Sequence, residues 1–199
     1  MLKKIVLIAL SAVSAFALHN AELNINDTDL QVAIALDIGQ FNESVEPNTM
    51  FVGAKFFNPD ATHSTSTITE IDPYFEMNFL IMREIGDMGM SLGMGTKINY
   101  TKVNGKDFSA LPLGIEFSYL IPAPKLVPMS INGSVYYAPQ VLSFADGKDY
   151  LEYTIHYDAE LIENAGITLG YRSINTTFEG SVGTINYNSS WYFGFKVKF

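Results

Sequence analysis

The sequence predicts an all-β protein: a transmembrane antiparallel up-and-down β-barrel of about ten strands, with eight as the alternative, after a cleaved signal peptide. Three observations carry this expectation. Hydrophobicity alternates with a period of two from end to end, and helical periodicity is missing. The alternating runs are about 10–14 residues long, against ~5–6 in globular sheets and ~9–11 for a tilted membrane-spanning strand. The face opposite the apolar one is rich in Gly, Ser, Ala and Asn with isolated charges, which suits the crowded interior of a narrow closed barrel rather than a solvated sheet. A soluble β-sandwich is the alternative.

The first residues form a separate unit. "MLKKIVLIALSAVSAFALHN" places Lys3 and Lys4 before an apolar stretch, Ile5 to Val13, and then Ala15-Phe16-Ala17. A positive n-region, a short h-region and an A-x-A site describe a secretory signal over residues 1–17. The alternative, a membrane anchor, needs a run of ~20 apolar residues that this stretch does not supply. The mature barrel then covers residues 18–199, begins at about Leu18, and carries ten basic against 21 acidic residues, a net charge of about −11.

The strands follow in order. "AELNIN" (21–26) is a short first strand. "DLQVAIALDIGQF" sets Leu30, Val32, Ile34, Leu36 and Ile38 against Gln31, Ala33, Ala35, Asp37 and Gly39. "TMFVGAKFF" aligns Met50, Val52, Ala54 and Phe56, and "PYFEMNFLIMRE" aligns Phe75, Met77, Phe79 and Ile81 opposite Glu76 and Asn78. In "MGMSLGMGTKINY" the methionines, Leu92, Ile98 and Tyr100 oppose Ser91, Gly93, Gly95, Lys97 and Asn99. "LPLGIEFSYLI" puts Leu111, Leu113, Ile115, Phe117 and Tyr119 on the lipid side and Gly114, Glu116 and Ser118 inside. "VPMSINGSVYYAP" alternates Val127, Met129, Ile131, Val135 and Tyr137 with Ser130, Asn132 and Ser134. "YLEYTIHYDAEL" alternates Leu151, Tyr153, Ile155, Tyr157 and Leu161 with Glu152, Thr154, His156, Asp158 and Glu160. "AGITLGYRSI" alternates Ile167, Leu169 and Tyr171 with Thr168, Gly170 and Arg172.

The connections alternate between two ends. Links at 27–29, 58–70, 103–107, 140–149 and 176–188 fall on the outer side, and those at 42–48, 85–87, 122–126 and 163–164 on the periplasmic side. The longest are outer, as bacterial barrels prefer, and both termini lie in the periplasm.

The chain closes on "SSWYFGFKVKF", where Trp191, Phe193, Phe195, Val197 and the terminal Phe199 share one face. Such a strand must lay its apolar side on a core or on lipid, since soluble termini are usually polar and frayed. It is the type of signal by which outer-membrane assembly machinery recognises barrels. The expected partners are therefore membrane lipids and that machinery, engaged through the strand ending in Phe199. The expected location is a bacterial outer membrane, and the expected state is a monomer.

Composition excludes other classes. The chain has no cysteine, so disulfides and thiolate metal sites are out. A net charge of −9 argues against a nucleic-acid surface. The glycines of "GMSLGMG" lie on a strand with no helix following, so they make no phosphate loop, and the acidic residues of the outer loops match no defined calcium loop. "VNGKD" is a hairpin turn around Asn104-Gly105.

Two constellations remain. His63, Ser64 and Thr65 in "DATHSTST", with Glu70, supply the residue types of a barrel lipid A deacylase, in which a base activates a hydroxyl. Their place in a loop rather than on a rigid strand favours a solvated stretch, so no enzyme activity is expected and no catalytic, cofactor-binding or metal-binding residue is assigned. Glu76, Lys97, Glu116, Glu152, His156, Asp158, Glu160 and Arg172 fall on inward faces. Buried charges must pair or stay hydrated, so Lys97 and Arg172 are expected to pair with acids. These charges read as a structural polar core, a narrow cation-preferring pore, or a ligand or proton site.

"SVYYAPQVLS" and "AGITLGYRSI", with Tyr136, Tyr137, Ala138 and Pro139 and then Gly170, Tyr171 and Arg172, resemble the YfaZ family of small outer-membrane proteins. The resemblance implies a porin-like Gram-negative barrel of undefined activity over the whole mature chain, and no catalytic residues. The function expected is thus a structural or interaction role or a narrow minor pore. The alternatives are an outer-leaflet lipid-modifying enzyme and a soluble periplasmic binding protein.

Overall fold

The computed structural model describes residues 19–59, 70–123, 127–179 and 183–199. The signal-peptide boundary and His63, Ser64 and Thr65 lie outside them. Twelve strands form one antiparallel sheet: β1 (Asn20–Ile25), β2 (Leu30–Asp37), β3 (Met50–Asn58), β4 (Tyr74–Ile85), β5 (Met90–Val103), β6 (Lys106–Ala110), β7 (Leu113–Leu120), β8 (Met129–Ala138), β9 (Ser143–Ala145), β10 (Gly147–Ile162), β11 (Ala165–Phe178) and β12 (Gly183–Lys198). Ten of them make a closed barrel. Each neighbour in the chain pairs with the next, β1 pairs with β12, and β4 pairs with β5. The remaining two are short. β6 continues the line of β7 beyond Leu111-Pro112 while still pairing with β5, and β9 pairs with β6.

Closure removes every sheet edge within the barrel, which satisfies the backbone without water. The seam is tied at its end: His19 N–H donates to the Phe199 carbonyl at 2.5 Å, and Phe199 N–H donates back to the His19 carbonyl at 2.8 Å. The end holding this seam is called the terminal end below. The turns 86–89 and 163–164, the segment 38–49 and residues 121–123 and 127–128 lie there, and the turns at 26–29 and 104–105 lie at the far end.

The expected faces are those observed along the strands. Val32, Ile34, Phe75, Met77, Leu92, Met94, Ile98, Leu113 and Ile115 are exposed on the outside. Asp37, Lys55, Glu76, Lys97, Asn99, Glu152 and Arg172 are buried inside. Ile38 leaves the row, because a short 3-10 turn spans Ile38–Gln40, capped by the Asp37 side chain accepting from Gly39 N–H.

The far end differs from the expected loops. The segment 176–188 is mostly strand, since β11 runs to Phe178 and β12 starts at Gly183. A bulge between Ile174 and Asn175 sets Tyr187 as an extra residue in β12. Tyr187 and Asn188 are consequently both buried, and the facing of β12 inverts there. Ile185 and Tyr187 turn inward, although they share parity with outward Trp191. The 103–107 link shrinks to a two-residue turn in which Asn104 and Gly105 both take positive φ, 49° and 76°, as a tight hairpin requires. The 140–149 link holds β9 and the start of β10.

The inward side chains of these extensions form a dry plug: Phe57, Tyr74, Val103, Phe108, Tyr150, Ile174, Phe178, Ile185 and Tyr187 make one buried cluster. Their rings contact one another, as with Phe108 and Tyr150 at 5.9 Å and Phe108 and Phe178 at 5.8 Å between centroids.

Register gives a direct test. Ser91 pairs with Ser118 and Leu92 with Phe117 on β5 and β7. A cysteine replacing Leu92 is expected to react with a lipid-soluble maleimide, and one replacing Ser91 is not, because a one-residue step changes the face. Equal labelling of the two would refute the register.

Candidate functional site

The candidate site is the barrel interior, which has three levels. Below the aromatic plug lies a quartet contributed by four strands. Lys55 Nζ stands 2.6 Å from Glu76 and 2.9 Å from Glu152, and Lys97 Nζ stands 3.4 Å from Glu76 and 2.9 Å from Glu152. Written as ions, two cations and two anions cancel. All four side chains are under one-tenth exposed.

Hydroxyls extend the network into the plug. Tyr150 O–H donates to Glu152 Oε2 at 2.7 Å and lies 2.7 Å from Tyr74 O–H, which accepts from Asn99 Nδ2 at 2.8 Å. Tyr74 O–H also lies 3.3 Å from Glu76 Oε2, so the two hydroxyl protons serve both carboxylates and the contact between the rings. Lys97 Nζ also sits 3.9 Å from the centroid of the Tyr136 ring, whose hydroxyl donates to Glu116 Oε1 at 2.6 Å. Together these bonds satisfy the buried charges as a low-dielectric interior demands.

Arg172 departs from expectation, because among the described residues it pairs with no acid within ion-pair distance. Its Nε donates to Asn188 Oδ1 at 3.1 Å and its Nη1 to Gln31 Oε1. The guanidinium lies over the Phe57 ring at 4.1 Å and near that of Tyr192 at 5.3 Å. Asn188 Nδ2 in turn donates to Asp29. A planar, weakly hydrated guanidinium tolerates this amide and ring environment better than an ammonium would.

The third level is the terminal mouth. Lys196 bridges Glu22 at 2.9 Å and Asp158 at 3.1 Å, and Asp158 also accepts from Thr168 at 2.7 Å and Asn132 at 3.2 Å. His156 Nε2 lies 3.6 Å from Asp158, and Lys198 pairs with Glu160 at 2.8 Å on the rim. Among the described residues no cluster of three His, Asp or Glu side chains is arranged to hold a metal ion.

Of the sequence-predicted residues, Glu76, Lys97 and Glu152 meet in the quartet and His156 and Asp158 meet at the mouth. Glu116 stands between the two levels, while Glu160 belongs to the rim. Glu70 is exposed, and its backbone is held by Asn104 at the β5–β6 turn, 3.1 Å from N to Oδ1. Lys55, Tyr74 and Tyr150 join the site without being among the sequence-predicted residues. Lys55 had a usable signal, since it lies between outward Ala54 and Phe56 and must therefore point inward.

A model of the YfaZ precursor family matches residues 4–199. The chain belongs to this family. No curated protein matches it. Among solved structures, OmpT (in-vitro folded), an outer membrane protein of Vibrio cholerae in its trimer form, overlays with a TM-score of 0.36 at 11% identity. The overlay covers 86% of this chain and 55% of the other, so the chain spans about half the length of that protein.

In this YfaZ barrel, Tyr136 can lie flat under Lys97 because glycines line its bed. A Cβ at Gly114 would come within 2.4 Å of the Tyr136 ring and of the Val135 carbonyl, and one at Gly95 within 2.6 Å of the Tyr136 hydroxyl. Gly114→Ala is therefore expected to lower stability by about 1–3 kcal/mol, the usual cost of overpacking. Urea unfolding of the refolded barrel measures this, and an unchanged midpoint would contradict the packing described.

Proposed function

We propose that this chain spans a bacterial outer membrane as a closed, non-conducting monomeric barrel with both termini in the periplasm, serving as a structural or interaction body. The carrying observation is the belt of exposed apolar side chains around a barrel whose lumen is plugged at the far end. Soluble monomers rarely expose contiguous apolar patches beyond a few hundred Å², whereas here nine of the ten barrel strands carry exposed Leu, Ile, Val, Met or aromatic residues and β3 adds the half-buried Met50, Val52 and Phe56. On β10 the outward row from Leu151 to Leu161 covers about 34 Å along the strand at ~3.4 Å per residue. Tilted by about 40°, that is about 26 Å of height, the thickness of an outer-membrane apolar band. Tyr137, Tyr153, Tyr171 and Trp191 form a girdle towards the far end, with Tyr171 and Trp191 rings 5.6 Å apart. Amphipathic rings favour such an interface.

The plugged far end supports closure. An ion would have to pass the quartet and then a plug of rings that are almost fully buried. This reading includes no catalytic step, and recognition by the barrel-assembly machinery belongs to it through the terminal strand. Planar-bilayer recording of the refolded protein is the test. Inserted protein is expected to give no resolvable conductance steps. Stable steps would replace this reading with the minor pore, and failure of the protein to float with washed lipid vesicles would remove the membrane itself.

A further inference from the structure

The terminal end opens into a cavity of about 320 Å³ that reaches down to the quartet. Its lining carries four cations, Lys55, Lys97, Arg172 and Lys196, against three acids, Glu22, Glu116 and Glu152. Carboxylates answer three of the cations, Lys55 and Lys97 in the quartet and Lys196 through Glu22 and Asp158. Arg172 is the exception. It is only 2% exposed, and its protein partners are neutral amides. A guanidinium has five N–H donors. Asn188 takes the one on Nε and Gln31 takes one on Nη1. The second hydrogen of Nη1 and both hydrogens of Nη2 meet no acceptor among the described residues.

Tyr192 places another donor nearby. Its ring centroid lies 5.3 Å from the guanidinium carbon. The ring leans from β12 across Gly170 into the lumen, since a Cβ at Gly170 would come within 2.6 Å of the Tyr192 hydroxyl. This hydroxyl lies on the cavity lining and meets no acceptor among the described residues. Buried donors, one set of them charged, require an acceptor.

The wall beside them is apolar. On the inner face of β2, Gln31 is followed towards the mouth by Ala33 and Ala35, a run of about 14 Å at ~3.4 Å per residue. Phe51 on β3 and Leu80 and Met82 on β4 continue this wall. Leu80 and Met82 turn inward over a glycine: a Cβ at Gly93 would fall 2.6 Å from Met82 Sδ and 3.0 Å from Leu80 Cδ1. The cavity thus has unsatisfied cationic donors at its floor and a hydrocarbon side leading to its opening.

We propose that the cavity binds a small carboxylate with a short apolar tail. The carboxylate meets Arg172 and Tyr192, and the tail lies along Ala33, Ala35, Phe51, Leu80 and Met82. One negative charge balances the excess cation of the lining, and two coplanar oxygens suit a guanidinium. The proposal goes beyond the membrane reading and does not rest on it, because it is tested in detergent.

The chain has two arginines, Arg172 and Arg83, whose side chain is 72% exposed. The refolded barrel carrying 15N-labelled arginine therefore gives two side-chain Nε signals, and an Arg83→Lys sample assigns them. Sodium butyrate, sodium acetate and butan-1-ol are titrated at constant ionic strength. The expected result is a saturable shift of Arg172, without one of Arg83, on adding butyrate. Acetate, shorter by two methylenes, is expected to bind about tenfold more weakly, and butan-1-ol, which has the tail without the charge, to give no saturable shift. Tyr192→Phe keeps the ring and is expected to weaken butyrate binding by about tenfold through loss of a hydrogen bond to a charged group. Gel mobility before boiling verifies the fold of this variant. Absence of saturation with butyrate would overturn the proposal and leave ordinary water as the partner of these donors. Equal binding of acetate would reduce the site to an adventitious anion only and overturn it too, as would a matching response to butan-1-ol or unchanged binding by Tyr192→Phe.

Discussion

Glu152→Ala is expected to lower the unfolding free energy by about 3–5 kcal/mol, the cost of breaking a buried ion pair by removing one partner. The Glu152 carboxylate is held at 2.9 Å by each of two ammonium groups and at 2.7 Å by Tyr150. Without it, Lys55 and Lys97 retain only Glu76, at 2.6 and 3.4 Å. One positive charge then remains uncompensated beneath an aromatic plug, where water cannot reach it cheaply. Tyr150 also loses its acceptor, leaving a buried hydroxyl to pair with Tyr74 alone. The exposed pair Arg83–Glu46 is the internal control: its side chains are 72% and 71% exposed, and Glu46→Ala is expected to cost less than about 1 kcal/mol. Trp191, the single tryptophan, reports unfolding by fluorescence in both cases. A loss below about 1 kcal/mol for Glu152→Ala would mean that the quartet is hydrated, and the lumen would then be open rather than plugged.

The quartet also shows where sequence reasoning reaches and where it stops. Alternation alone fixed the inward facing of Glu76, Lys97 and Glu152, because a period of two leaves no freedom once one face is apolar. It did not fix who meets whom. Partnership across the lumen depends on the register of non-adjacent strands, which no local pattern encodes. Arg172 illustrates this. Its inward position followed from the outward row of Ile167, Leu169 and Tyr171 with which it alternates, yet its partners are amides on β2 and β12 and a ring on β3.

The far end was illegible for a different reason. There the inner face changes from polar to apolar, with Ile174, Phe178, Ile185 and Tyr187 inside and Thr177, Thr184 and Asn186 outside. On the proposed membrane reading the outer face beyond the apolar belt meets water, so the polarity rule reverses and the pattern reads as loop. The bulge at Tyr187 shifts the parity of β12 as well. A strand whose apolar face changes sides obeys opposite polarity rules at its two ends, and a single period-two pattern does not span that change.

Phe199→Ser is expected to reduce outer-membrane insertion severely while changing the stability of the finished barrel only modestly. The backbone of Phe199 exchanges two hydrogen bonds with His19, and Lys198 N–H donates to the Asn164 carbonyl at 2.7 Å. A serine keeps all of these bonds. What is lost is the ring, which lies edge-on to His19 at 5.8 Å and is only half-buried. Full burial of a phenylalanine contributes about 1.5–3 kcal/mol, and only part of that applies at a rim. The other nine strands and the quartet still close the sheet. If the terminal strand is the element that assembly machinery reads, the defect lies instead in delivery, and unassembled chain should accumulate in the periplasm and be degraded. Two measurements together separate these effects. Unfolding of the variant refolded in vitro should stay near that of the wild type, while fractionated cells should show little of it in the outer membrane. Wild-type levels in the outer membrane would refute the recognition role of Phe199. Failure to refold in vitro would show instead that the ring closes the seam between β1 and β12, because a chain that cannot shut its barrel in detergent needs no machinery to explain its loss in cells.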